Sequence, residues 1–174
     1  MLGIFLTASF AATIPLANWM ISNVGVCVPA GPCLIPVGFG LMAPSGVLVV
    51  GASLVLRDAV HSVCGWRWAL AAILAGATMS WVIASPALAL ASAVAFLLSE
   101  TADMAVYAPL RERRLWLAVL LSGGIGAAVD SVAFLWLAFG SLDFVAGQII
   151  GKFWMTIAAM IAILSIRSTR SAQI

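Results

Sequence analysis

The sequence predicts an all-α integral membrane protein, a bundle of six transmembrane helices. Three observations carry that expectation. Of 174 residues, 64% are hydrophobic and only 8% are charged, whereas about a quarter of an ordinary soluble domain is charged. Apolar windows of about 20 residues, the length that crosses a bilayer as a helix, recur along the whole chain. The basic residues fall in alternate connections between those windows. A net charge of +2 is too small to point to nucleic acid, and no stretch is polar enough for a soluble domain or a long disordered tail. The chain 1–174 is therefore read as a single transmembrane domain in contact with the lipid bilayer.

The first span, 2–22, lies in "MLGIFLTASFAATIPLANW". It has the apolar core of a secretory signal but no Lys or Arg ahead of it, so it is read as a retained helix. The second span, 38–58, starts badly: "PCLIPVGFGLMAPSG" brings three prolines and three glycines before the run "VLVVGASLVL". An irregular or re-entrant start is expected there, of a kind tolerated at membrane depth only when packed in protein or lining a cavity. Spans 66–84, 87–107, 115–139 and 144–166 follow, each bounded by Pro, Gly or charge.

Arg67, the group Arg111, Arg113 and Arg114, and the pair Arg167 and Arg170 lie in connections on one side, while "NVGVCVPAGPC", "ASP" and "GSLD" on the other side have no Lys or Arg. The positive-inside rule then places both termini in the cytoplasm, in a bacterial plasma membrane. Cys27 and Cys33 share the first outer loop. A disulfide closing that short Pro/Gly loop is one reading; two unpaired small residues is the plainer one and is favoured here. A zinc site is not expected, because the sole histidine, His61, falls on the other side of the membrane.

An ionisable side chain at the centre of a membrane helix costs about 2.5–3.5 kcal/mol on insertion scales, so each one needs a compensating partner or a function. At a rise of 1.5 Å per residue, Asp130 and Lys152 both fall roughly 10 Å below the outer surface. Glu100 is nearer mid-depth, Arg57 is level with it or slightly deeper, and Asp58 and Asp103 approach the cytoplasmic interface. Residues three or four apart share a helix face. Ser92, Phe96, Glu100, Asp103 and Tyr107 thus make one stripe, Gln148 and Lys152 another, and Gly123, Ala127 and Asp130 a third. Small residues beside polar ones point them into the bundle. The bland reading is a pair of interhelical ion pairs, Asp130 with Lys152 and Glu100 with Arg57, that fix the packing. The surplus carboxylate, the glutamine and the aromatics favour a polar ligand cavity instead. Gly147-x-x-x-Gly151 is read as a packing motif, and the tryptophans chiefly as an interfacial belt, with Trp154 the first candidate for a stacking wall. Asp58 and Asp103 fit solvation at the interface equally well. No Walker loop, HExxH or Gly-x-Ser-x-Gly is present, so neither an enzyme nor a cofactor is expected, and pumping would need an ion gradient or a separate ATPase.

Four ordered blocks, "IPVGFGLMAPSGVLVVGASLVLRDAVH", "SETADMAVYAPLRER", "GAAVDSVAFLWLAFG" and "GQIIGKFWM", resemble the vitamin uptake transporter family of YhhQ-type queuosine precursor transporters, from about residue 18 to 160. The resemblance implies a six-helix importer similar to the substrate-binding subunits of energy-coupling-factor transporters. Its cargo would be 7-cyano-7-deazaguanine and 7-aminomethyl-7-deazaguanine, salvaged for transfer RNA modification. A deazaguanine edge offers N1–H and an amine side by side for one carboxylate, its carbonyl needs a donor, and its ring wants an aromatic face. Glu100 is accordingly assigned to the base edge and Lys152 or Gln148 to the carbonyl, with Asp130 orienting Lys152 or meeting the aminomethyl group. Phe96, Tyr107 and Trp154 are the stacking candidates, and Arg57 with Asp58 is expected to tie span two to span four; Asp103 completes the candidate set. A homodimer and a separate energising module both stay open. So do a binding subunit for another vitamin-like molecule, an intramembrane enzyme and an anchoring protein.

Overall fold

Apolar side chains on every face leave each span only one way to satisfy its backbone in lipid, which is to hydrogen-bond internally as a helix. The computed structural model describes residues 2–29, 31–110, 112 and 115–171. Six helices run through them: α1 (Leu2–Asn23), α2 (Val47–Cys64), α3 (Trp66–Ile83), α4 (Pro86–Leu110), α5 (Leu115–Phe139) and α6 (Val145–Ser171). By length and composition α1, α3, α4 and the Leu121–Phe139 part of α5 are able to cross a membrane. Arg111, Arg113 and Arg114, and the side chains of Arg167 and Arg170, on which the expected orientation leans, lie outside the described residues.

The second span departs from expectation. Its helix begins at Val47 rather than at residue 38, because the Pro- and Gly-rich stretch before it pairs as strands. Strands β1 (Val26–Cys27), β2 (Cys33–Gly38) and β3 (Leu41–Pro44) form an antiparallel sheet in that order, an addition to an otherwise helical chain. Phe39 and Gly40 link β2 to β3 with φ of 53° and 73°. Positive φ at both central residues marks the hairpin turn whose twist suits antiparallel strands. Pro36 lies past the two residues of β2 that β1 pairs, where a residue without an N–H is tolerated. A disulfide joins Cys27 to Cys33, against the favoured reading of two unpaired cysteines. The reason is register: β1 places Cys27 directly opposite Cys33.

This hairpin is pinned to the bundle. Ser45, fully buried, donates its N–H to the Cys33 carbonyl at 2.8 Å and its hydroxyl to the Met20 carbonyl of α1 at 2.6 Å. Trp154 of α6 donates Nε1–H to the Val37 carbonyl at 2.8 Å, and its ring stacks on Phe39 with centroids 6.2 Å apart. A Cβ at Gly147 would collide with the Met42 carbonyl, and one at Gly151 would press on Val47. The Gly147/Gly151 pair therefore serves packing inside the chain, as its spacing suggests.

The helices enclose rather than fill the centre. α4 and α5 pack along Ala91, Ala95 and Ser99, buried at four-residue intervals, a small-residue ridge that lets the two backbones approach. α1 lies against α2 and α3, and α2 against α6. One core, around Phe10, Val60, Ile73 and Phe96, joins α1 to α4. A second, around Ile21, Leu88, Phe134 and Leu135, seals α1, α4 and α5 near the hairpin end.

Candidate binding cavity

A cavity open on one side lies between these cores and receives residues from all six helices. Its wall is mostly apolar, with Phe96 and Phe134 as the aromatic surfaces and Ile14, Ile21, Val47 and Val50 among the aliphatic ones. Polar groups enter from five helices: Thr13 and Asn18 on α1, Ser53 on α2, Ser92 on α4, Asp130 on α5 and Gln148 on α6. An apolar cleft with a few convergent polar groups is the usual form of a small-molecule site.

Asp130 owes its place to Lys152. Lys152 is 1% exposed, and its Nζ donates to Asp130 Oδ2 at 2.5 Å and to Ser131 Oγ at 2.7 Å. A cation so deeply buried is tenable only when paired and hydrogen-bonded. The lysine itself is not on the cavity wall; it stands behind the carboxylate. Gly51 of α2 packs against the Lys152 backbone and Met155, which fixes the helix that carries it. Asp130 still presents acceptor sites to the cavity, since a carboxylate has about four lone-pair positions.

Gln148 is 4% exposed, lines the cavity and makes no side-chain hydrogen bond among the described residues. Its amide, a donor and an acceptor together, faces the empty space without a partner. Asn18 is buried beside it in the wall and tied down: its amide donates to Ser80 Oγ of α3 at 3.2 Å and accepts from Ser92 Oγ of α4 at 2.8 Å. This three-helix node has no counterpart in the sequence reading, which weighed the ionisable residues of the spans. The signal that would have found it is an amide inside the apolar window "PLANW".

Of the expected site residues, then, Asp130, Gln148 and Phe96 meet at one cavity. The others lie elsewhere. Glu100 forms an ion pair with Arg57 on the far side of Phe96, whose ring Arg57 overlies with Cζ 5.9 Å from the centroid. Glu100 is off the cavity wall because it sits one turn beyond Phe96, so the aromatic ring separates it from the space above. Arg57 Nε also lies 3.1 Å from Asp58 Oδ1, without hydrogen-bond geometry. Asp103 faces α5, close to Gly126. Tyr107 is half-buried further along α4. Trp154, expected on a stacking wall, is occupied by the hairpin instead. Both ion pairs of the bland reading thus form, and they coexist with a void rather than replacing it.

A family described as "Putative vitamin uptake transporter" matches residues 82–166, a segment that spans the whole of α4 and α5 and most of α6, with Phe96, Asp130, Gln148 and Lys152 inside it. No curated protein and no solved structure matches the chain. Over those residues, just under half of the chain, the protein is similar to that family.

Proposed function

We propose that this protein is a vitamin-type uptake transporter and that it imports queuosine precursors, 7-deazaguanine bases, across a bacterial plasma membrane. The observation that carries the reading is the cavity itself, in which one carboxylate and one unpartnered amide, Asp130 and Gln148, converge beside Phe96 and Phe134. The base edge is assigned to Asp130, whose carboxylate keeps acceptor sites beside its lysine for N1–H and the exocyclic amine, and not to Glu100, which does not line the cavity. Gln148 donates to the ring carbonyl, and its own carbonyl is free for an N–H. Phe96 and Phe134 offer faces to the flat ring. Asn18 holds three helices in register around the space. The hairpin end faces outward and both termini lie in the cytoplasm, in keeping with basic residues confined to the opposite connections.

The test is ligand-dependent thermal stabilisation of the purified protein, since a bound ligand raises stability by mass action. The two deazaguanines should raise the melting temperature, and a panel of unrelated vitamins should not. Gln148→Ala should abolish the shift, while Glu100→Gln should keep it. Stabilisation by another vitamin alone, or a shift lost in Glu100→Gln and kept in Gln148→Ala, overturns the assignment. Uptake of labelled base into sealed vesicles then separates transport from binding, and turnover in detergent without a vesicle would instead indicate an enzyme.

A further inference from the structure

We infer that Lys152 makes the cavity electrically neutral and so selects an uncharged ligand over a cationic or anionic one of the same shape. The inference rests on the substrate reading above and adds the rule by which the site chooses among related heterocycles. Among the described residues that line the cavity, Asp130 is the sole charged one. Its charge is balanced from behind by Lys152 Nζ at 2.5 Å, on a lysine with 1% exposure whose second bond goes to Ser131. Whichever partner holds the shared proton, the pair sums to zero. The other polar groups on the wall, Gln148, Asn18, Ser92, Ser53 and Thr13, carry no charge at all.

The consequence follows from desolvation. An ammonium entering this apolar space gives up its water, and it recovers that loss only against an anion whose field is unspent. Asp130 is not such an anion, because its lysine is nearer than any ligand atom will be. A carboxylate or phosphate fares no better, since it meets Asp130 first and Lys152 only through it. A neutral molecule loses least on entry and gains the same hydrogen bonds, N–H groups to the exposed lone pairs of Asp130 and a carbonyl to Gln148. The two deazaguanines differ in this property. The 7-cyano form is neutral, whereas the 7-aminomethyl form is a primary amine that stays protonated at neutral pH.

Calorimetric titration of the purified protein at pH 7 should therefore show the cyano form binding at least about tenfold tighter than the aminomethyl form. Lys152→Met, which unbalances Asp130, should reverse that order. Equal affinities, or tighter binding of the amine by the parental protein, overturn the inference; so does an unchanged order in a folded Lys152→Met protein. Should that variant fail to fold, the parental comparison decides by itself. If neither deazaguanine binds, the substrate reading falls alone. The charge rule is then settled by titrating matched neutral, cationic and anionic bicyclic aromatics, among which any preference for the ions overturns it and a preference for the neutral members upholds it.

Discussion

The two ion pairs that cross the bundle join similar groups in different surroundings. In the Asp130–Lys152 pair the side chains are 10% and 2% exposed; in the Arg57–Glu100 pair they are 28% for the acid and 13% for the base. The first is a closed account: one acid, one base, a serine for a remaining proton, and a cavity in front. The second is open, with Asp58 beside Arg57, its side chain 71% exposed, and Asp103 on the same helix as Glu100 one turn further on. Two acids there share one arginine. Identical chemistry thus does two jobs. Where both side chains are buried, breaking the pair strands a charge, and where they are partly exposed the pair is worth less.

Breaking one partner of each pair exposes that difference most sharply. Lys152→Ala leaves Asp130 buried and uncompensated, and should destabilise the protein by about 3–5 kcal/mol in reversible unfolding from mixed micelles. The double change Asp130→Asn with Lys152→Met removes both charges and should recover most of that loss; a double variant as unstable as the single one would mean that the pair's hydrogen bonds, and not its charges, hold the helices. Next in size is Gly147→Leu, whose side chain cannot coexist with the Met42 carbonyl. Separating the hairpin from α6 should cost about 1–3 kcal/mol, visible as a lower melting temperature. Asn18→Leu deletes the links to Ser80 and Ser92 and should cost about 1 kcal/mol, because interhelical hydrogen bonds in membranes are individually modest. The smallest effect belongs to Glu100→Gln. With Arg57 left beside Asp58, the expected loss is below about 1 kcal/mol and shrinks further as salt is raised. A loss there as large as that of Lys152→Ala would erase the distinction between the two regions.

Much of this architecture was legible from residue types. Five of the six helices lie within a few residues of the apolar windows, because membrane crossing depends on length and hydrophobicity alone. The pairing of Asp130 with Lys152 and Glu100 with Arg57 was among the readings as well, since charges at matching depth in lipid have few other partners. The start of α2 was not placed correctly. "PCLIPVGFGLMAPSG" signals that a helix is broken, but not that its strands pair back on themselves with Phe39 in the turn, which depends on α6 supplying Trp154 and Gly147 to receive them. The cysteine pair shows the same limit, because only the strand register sets Cys27 opposite Cys33. In the site, the glutamate that looked most suited to a base edge is one turn too far along α4, behind the Phe96 ring, and the amide of Asn18 went unweighed because it carries no charge.

Composition and charge by themselves determined the solvent of this protein, the number of its helices and the inward turn of Asp130 and Lys152, for these follow from the cost of each residue in lipid, summed along the chain. Only the tertiary structure decided which carboxylate faces empty space and which faces an arginine. That choice turns on rotations of a fraction of a helical turn and on where one aromatic ring lies, quantities set by the packing of six helices against each other.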